Sequence, residues 1–594
     1  MRKYIYNLAC LAIAGFLVSC EDYLEAPAKS SLEASVIFSS PDLAKGAVDG
    51  IKVPFAETNS YRGRFLPWYG MNTDIEWYHS SNNTGDGRGA DLATYNAKPN
   101  NTEMNTDNNA WAKMYEGIER ANLCIQGLRT YGNPEPGTML GQLLGEALTL
   151  RAVYYADLLK AWGDVPARFE PITTSTIYLP KTNRDEIYKR LIADLGEAAE
   201  LVPWPKENSM TQTVEQVNKA FVKGLRARLA LAASGYSQYP DGVRRSKDPE
   251  LSVEKMYELA RKECLDVINS GTARLEPSFE TLFRKFNQDV VDAGGESLWE
   301  IPFSDGRGRV LFTFAIRHNK VDQYTGQNRG GQAGPTPFMY YEYDDKDTRR
   351  NVTCVPYEWD AKDNVAFQIM NRINRWSFGK YRYEWMNRRV TSSNDDGVNW
   401  LYMRYAEVLL MAAETENELN GPAAAAPYLK EIRKRAFNEA DWPEKVDAYV
   451  DALTTKEAMF NAIVEEHKLE FTGEMLRKQA LIRWNLLKTK LDEAKSKMDN
   501  LRNRAGEYQD VPATLYYKFA DDNATLVMYG LNRGETEDKS GEFDFSIPWA
   551  QPSEISDEKI QTIYARDPNA YQFWPIWQYF IDNSNGTLKN DYNY

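Results

Sequence analysis

The stretch from Asn59 to Asn109 gathers the side chains best suited to holding a ligand. Trp68, Asn72, Asp74, Trp77, Tyr78, Asn82, Asn83, Asp86 and Arg88 stand there among Gly, Asn, Asp and Thr. Indole and phenol faces suit the C–H-rich faces of pyranose and furanose rings, while Asn, Asp and Arg pair with hydroxyl groups. The chemistry this combination offers is capture of a carbohydrate without converting it. The competing use of the same rings is to pack the loop onto its neighbours. Trp77 is the expected stacking platform, because Asp74, Tyr78 and Arg88 flank it in sequence with hydroxyl-pairing groups. Trp68 is the ring of the set expected to carry more of the packing.

Other chemistries find less support. A glycoside hydrolase needs two carboxylates at a set separation, and among 85 Asp and Glu no pair stands out. The three histidines, His79, His318 and His467, lie far apart, and Glu465-Glu466-His467 lacks the second histidine of a zincin helix. Asn82-x-Thr84-x-Asp86-Gly87 and Asn394-Asp395-Asp396-Gly397 echo calcium loops but lack the closing Glu, so they read as turns. No Ser-His-Asp context or phosphate-cradling Gly loop occurs. The expectation is a binding protein, not an enzyme, with no metal and no cofactor.

The chain has 594 residues, 43% hydrophobic and 26% charged, with a net charge of −14. It is long enough for two or more subdomains, and its acidity argues against a nucleic-acid partner. Cys124, Cys264 and Cys354 form no disulfide framework. Arg2 and Lys3 precede an apolar run from Leu8 to Val18, short for a bilayer span and flanked like a secretory leader. It ends in Leu17-Val18-Ser19-Cys20, which looks like a lipobox. Cleavage before Cys20 and acylation of its thiol would tether the protein to a membrane; an ordinary leader cut elsewhere is the alternative.

The elements that must position the loop are helices. Leu401, Tyr405, Val408, Leu409 and Ala412 recur at helical spacing within Asn399–Gly421, beside a row of Glu407, Glu414 and Glu418 that reads as a solvated or ion-paired face. Gly421 and Pro422 end that helix, and Pro427 fits the first turn of another. Helix, tight turn, helix over roughly three dozen residues is the size of a tetratricopeptide repeat. Further helical patterns cover Leu43–Val53, the segment from Asn109, Gly145–Pro166, Arg184–Pro203, Asn218–Tyr236 and Met256–Asn269. Glu296–Phe303 has strand character and opens a Gly- and Arg-rich excursion holding His318 and Tyr324.

Trp400-Leu401-Tyr402-Met403-Arg404-Tyr405-Ala406-Glu407-Val408-Leu409-Leu410-Met411-Ala412-Ala413-Glu414 resembles the "LRYAEVLLMAAEA" segment of the SusD/RagB family, the outer-membrane nutrient-binding lipoproteins of Bacteroidetes. Further resemblances follow in the family's order. They include Trp111–Asn122, Leu150–Tyr155 with Trp162–Pro166, the Asp347-Thr348-Arg349-Arg350 segment, and Ile463–Trp484, where Glu466-His467-Lys468 stands for the usual Glu-Arg-Arg. Glu21-Asp22 after Cys20 resembles the family's surface-export signal. The resemblance implies a mostly α fold of tetratricopeptide-like helix pairs, forming a solenoid with a loop-rich subdomain. It divides the chain into a signal peptide (1–19), a lipidated tether (20–40) and a SusD-like domain (41–594). Within that domain the scaffold would cover about 109–270 and 399–490, with ligand-facing segments at about 59–109 and 279–398. It also implies a glycan ligand contacted by the early loop and by the excursion with Tyr324, a SusC-like TonB-dependent transporter as partner, and a lipid-anchored place on the cell surface. A RagB-like oligopeptide ligand is the alternative within the family; a surface glycanase is the alternative outside it.

Overall fold

The computed structural model describes residues 32–79, 88–303, 306–391, 396–592 and 594. Its longer helices, in chain order, are α1 (Pro41–Asp49), α2 (Ala110–Gly127), α3 (Met139–Trp162), α4 (Arg184–Leu201), α5 (Lys219–Ser234), α6 (Val253–Ser270), α7 (Tyr405–Asn420), α8 (Pro422–Ala436), α9 (Lys456–Phe471), α10 (Arg477–Arg483) and α11 (Leu487–Asn503). Asn109, Thr138, Asn218 and Thr455 stand just before α2, α3, α5 and α9, and each side chain accepts a first-turn backbone N–H. Each helix from α2 to α6 packs on the next, and α6 then packs on α7 although residues 271–404 intervene. From α7 the stack continues to α8 and α9. The fold is mostly α, a stack of helix pairs with a long excursion inserted in it. Close approach has a visible cause at Gly117, where a Cβ would lie 2.2 Å from the Tyr154 ring.

The strands are short and include β1 (Glu76–Tyr78), β2 (Ser297–Ile301), β3 (Ala333–Pro335), β4 (Tyr357–Lys362), β5 (Val365–Met370), β6 (Trp400–Arg404), β7 (Thr514–Phe519), β8 (Leu526–Tyr529) and β9 (Phe545–Pro548). All these pairings are antiparallel. β1 pairs with β3, β2 with β6 and β4 with β5, while β7 lies between β8 and β9.

Two expectations need correction. The Asn399–Gly421 segment is not one helix, because Trp400–Arg404 forms β6 and the helix begins at Tyr405. All five strand residues are buried, so no alternation marks them, and periodicity alone cannot separate such a run from helix. Leu401 therefore pairs with Glu300 across the sheet and leaves the helical stripe. The second helix starts at Pro422, not Pro427: Pro422 takes the first helical position, where its missing N–H is harmless, and Pro427 lies inside α8.

Behind the strand–helix junction lies a buried ionic cluster. Arg404 reaches Glu296 (2.8 Å), Glu470 (2.6 Å) and Glu474 (2.7 Å). Arg349 reaches Asp347 (2.7 Å), Glu466 (2.7 Å) and Glu470 (2.8 Å). Arg433 adds a bond to Glu466, Lys380 one to Glu474, and Arg435 pairs with Glu296 and Glu470. Glu466, Glu470 and Glu474 follow at four-residue steps through the end of α9, so one side of that segment presents three carboxylates to arginines from elsewhere. His467, which replaces an arginine of the family pattern, is buried, and its imidazole is held neutral, well below its ordinary pKa, by burial and by Arg477, Arg483 and Arg404. The glutamate row on α7 is ion-paired where it is buried. Glu407 takes a fork from Arg228 (2.7 and 2.5 Å) and Glu414 one from Arg483 (2.5 and 2.6 Å), while Glu418 is exposed.

Leu409 is fully buried in the main hydrophobic core. Leu409→Ala should destabilise the fold by about 2–5 kcal/mol, read as a lower midpoint in chemical denaturation; an unchanged midpoint would mean that the α7 stripe carries no packing.

Candidate functional site

The early loop folds inward. Trp77 is completely buried in a second core cluster with Ile75, Tyr95, Trp376 and Trp549, and the Lys559 ammonium lies 5.4 Å from its ring centre. Asp74 is buried and takes a two-pronged bond from Arg477 (2.9 and 2.7 Å). Asn72 is buried with φ +58°; its amide donates to the Thr562 carbonyl (2.6 Å) and its oxygen accepts the Tyr78 N–H (3.0 Å). Trp68 is buried edge-on to the half-buried Tyr78 ring at 4.6 Å, and a Cβ at Gly89 would strike its ring. Arg88 is exposed, with its carbonyl accepting from Asn101. Asn82, Asn83 and Asp86 lie outside the described residues.

Trp77 is thus a core residue and not a stacking platform. Of the polar neighbours that suggested otherwise, Asp74 neutralises a buried arginine and Tyr78 packs against Trp68, while Arg88 stays exposed; nearby Asn72 holds a left-handed turn. Loop composition misled here because β1 pairs with β3, Trp77 standing opposite Gly334, and so carries the loop into the interior.

Tyr324 has a different setting. Asp322 Oδ1 accepts the N–H groups of Tyr324 (2.7 Å) and Thr325 (2.8 Å), and its Oδ2 lies 2.6 Å from His318 Nδ1. Val390 exchanges backbone bonds with the same turn, its N–H donating to Tyr324 and its carbonyl accepting from Gly326. Arg389 ties the turn down by donating to the carbonyls of Asp322 (2.9 Å) and Thr325 (3.1 Å). β4 lies alongside, with the Trp359 N–H donating to the Arg317 carbonyl and the Trp359 carbonyl accepting from Asn319.

These supports bring Tyr324 and Trp359 together, both half-buried, with ring centres 6.2 Å apart and planes inclined at 52°. Tyr357, two residues along the strand and half-buried, meets Trp359 edge-on at 5.6 Å. Behind them the buried His318 ring lies 6.0 Å from both Tyr324 and Trp359, and Tyr383 closes the back at 5.4 Å from His318. Polar groups rim the patch. The Glu384 carboxylate accepts from Trp359 Nε1 (3.3 Å), Arg382 donates to the Tyr357 hydroxyl (3.0 Å), and Gln323 is exposed. Partly exposed rings on a rigid base, bordered by hydrogen-bonding groups, can stack one face of a sugar and pair its hydroxyls.

Trp359, Tyr357, Arg382 and Glu384 escaped the sequence reading. A signal was present: aromatic residues two apart in Tyr357-Glu358-Trp359, ahead of a tight Asp363-Asn364 turn with positive φ at both residues, mark one face of a hairpin. Asp396, from the second calcium-like loop, accepts the N–H groups of Leu311, Phe312 and Val398. Among the described residues no three His, Cys, Asp or Glu converge as a metal site, and no helix is long and apolar enough to cross a membrane.

A family model described as "SusD family" matches residues 295–594, which is 300 of the 594 residues. The chain belongs to the SusD family. A second model, described as "Starch-binding associating with outer membrane", matches residues 59–231. A SusD-like protein of Formosa agariphila is 27% identical over 503 residues, covering 80% of this chain and 90% of its own. Among solved structures, a SusD homolog from Bacteroides thetaiotaomicron superposes with a TM-score of 0.72 at 16% identity, over 95% of this chain and 99% of its own. Surface glycan-binding protein A of the same organism, in complex with laminarihexaose, gives a TM-score of 0.60 at 20% identity, over 93% of this chain and 99% of its own. At such identities these structures establish the SusD fold, and the Tyr324–Trp359 patch stands on its own geometry.

The patch has a titrating support. Burial works against the charge of His318, but its contacts with Asp322 and with Glu384 (3.8 Å) outweigh burial and hold the imidazole above its ordinary pKa. A raised folded pKa adds stability that is fully present below the unfolded value of about 6.5 and is lost as pH rises through the folded value. The wild-type melting temperature, compared with that of His318→Gln, should therefore show an advantage below about pH 6.5 that shrinks toward alkaline pH. A difference independent of pH would contradict the charged His318.

Proposed function

We propose that the chain is a cell-surface glycan-binding lipoprotein that holds an oligosaccharide on the Tyr324–Trp359 patch. Tethered through acylated Cys20, it would deliver that ligand to a SusC-like TonB-dependent outer-membrane transporter. The observation that carries the binding role is the inclined pair of half-buried rings resting on a buried His318–Asp322 support. The laminarihexaose complex of a protein sharing the fold supports a saccharide as the ligand class. Catalysis gains no support at the patch, because the nearby carboxylates are already engaged: Asp322 holds the turn and His318, and Glu384 faces Trp359, Arg382 and His318. Membership of the SusD family and Leu17-Val18-Ser19-Cys20, which lies outside the described residues, support the tether and the transporter. Tethering gives a transporter lid a high effective concentration at its pore, a gain that an isolated binder would not have.

Two tryptophan variants separate the site from the core. Trp359→Ala should weaken oligosaccharide binding by about 1–3 kcal/mol, by analogy with base stacking on aromatic rings, with little change in melting temperature. Trp77→Ala should instead destabilise the fold by about 3–5 kcal/mol and leave the affinity of the folded fraction intact. Titration calorimetry beside thermal melts reads both, and the reverse pattern would move the site back to the early loop. Retained binding of an oligopeptide after loss of the Trp359 ring, with no saccharide binding, would favour the oligopeptide reading.

In native membranes under gentle detergent the protein should co-purify with a large β-barrel partner, and Cys20→Ala should shift it to the soluble fraction. Continued fatty-acid labelling of Cys20→Ala, or a lipoprotein that elutes alone, would refute the anchored-lid arrangement.

A further inference from the structure

The segment that carries Tyr324 is opposite in sign to the whole protein, while β4 and the rim add Glu358, Asp360 and Glu384 beside Arg375 and Arg382. The chain carries a net −14, yet residues 306–341 hold Arg307, Arg309, Arg317, Lys320 and Arg329 against the single acidic residue Asp322. Asp322 is itself occupied by His318 and by the Tyr324 turn. Elsewhere the buried arginines meet carboxylates directly, as Arg404 and Arg349 do. Beside the patch Arg382 meets Glu384 at 3.4 Å and Arg375 meets Glu358 at 2.9 Å, whereas Arg317 and Arg389 have no such partner among the described residues.

Arg317 donates to the Asn319 amide oxygen (2.8 Å) and the Gly330 carbonyl (3.4 Å), and Arg389 to the carbonyls of Asp322 and Thr325. All four acceptors are neutral, and neither guanidinium has a carboxylate within ion-pair distance among the described residues; the Glu358 carboxylate, bonded to the Asn319 amide, acts on Arg317 from further off. Arg317 is half-buried and Arg389 exposed, so both remain within reach of a ligand. Both adjoin the two rings: the Arg317 carbonyl accepts the Trp359 N–H, and the Arg389 guanidinium holds the turn that carries Tyr324. Further along the same segment, Arg309 lies 4.2 Å from the Phe312 ring centre, with its Nε unpartnered among the described residues. Burial first, and then the neighbouring Arg64, lower its pKa, against the opposing pull of Asp396.

Resting on the saccharide reading above, we propose that the ligand held at the Tyr324–Trp359 patch is an anionic saccharide whose carboxylate or sulfate groups pair with Arg317 and Arg389. A guanidinium bonded only to neutral carbonyls keeps its full charge, and its remaining N–H groups match the paired oxygens of a carboxylate or sulfate. Hydroxyl groups of a neutral glycan would leave that charge unmatched. The stacking rings supply affinity for the sugar face; the arginines select for charge.

The test uses matched pairs of oligosaccharides titrated into the intact chain. Oligogalacturonate is compared with its carboxyl-reduced form, and a sulfated galactan oligosaccharide with its desulfated form. One anionic member should bind at least about tenfold tighter than its neutral twin. That advantage should fall as salt rises and disappear in the double variant Arg317→Gln, Arg389→Gln. Preference for the uronate pair assigns carboxylate as the recognised group, and preference for the galactan pair assigns sulfate. If the double variant does not fold, the wild-type pair difference and its salt dependence still decide. Equal or tighter binding of the neutral twins or of laminarihexaose, without salt dependence, would overturn the anionic assignment and leave glycan binding in place. An unchanged charge preference in the folded double variant would overturn the role of these arginines. Binding to none of the saccharides would remove the glycan reading itself.

Discussion

The interaction on which the rest of the structure depends is the buried meeting of Arg404 and Arg349 with Glu470. Around it Glu296, Glu466 and Glu474 complete the ring of carboxylates, and Arg433, Arg435 and Lys380 the ring of cations. The cluster joins distant stretches of chain: the approach to β2, the segment before β4, the β6–α7 junction, α8 and the end of α9. A charge buried there is tolerated only when its partners arrive in place, so the cluster acts as a registration device as much as a source of stability. It fixes where the excursion leaves the helical stack and where it returns.

That registration explains how a loop-borne patch can be rigid. β2 and β6 pair at the neck of the excursion, and the chain between them carries His318, Tyr324 and the β4–β5 hairpin. The rings are then locked locally, by Asp322 at the Tyr324 turn and by main-chain bonds between Trp359 and the residues on either side of His318. A stacking surface built in this way is preorganised, so binding loses little to ordering of the protein. The early loop serves the same body from the inside, with Trp77 and Asp74 locked against the second core cluster and Arg477.

Much of the fold was legible in the sequence. Helical patterns located the start of α2 and, mostly to within a few residues, the ends of α3 through α6, and the strand at Glu296–Phe303 appears as Ser297–Ile301. What failed did so for physical reasons. Trp400–Arg404 is buried throughout, and a uniformly apolar run has no period to read. The rings of Asn59–Asn109 sit in turn-rich sequence, yet a single pairing of β1 with β3 turns that segment inward, and no local feature announces a partner some 250 residues away. The patch itself joins Tyr324, which the sequence reading named, to Trp359, which it did not. Their meeting depends on hydrogen bonds across about 40 residues of chain, between His318 and its neighbours and β4.

In the proposed mode of binding the inclined Tyr324–Trp359 rings, and not the early loop, receive the ligand. The most direct measurement is a crystal structure of the protein with a bound oligosaccharide of the class it retains in solution. A sugar ring is expected against one or both of these aromatic faces, with Trp77 still enclosed. A saccharide lodged instead in the cleft of about 270 Å³ among Trp111, Tyr115, Tyr178 and Phe580, with the Tyr324–Trp359 faces bare, would contradict it.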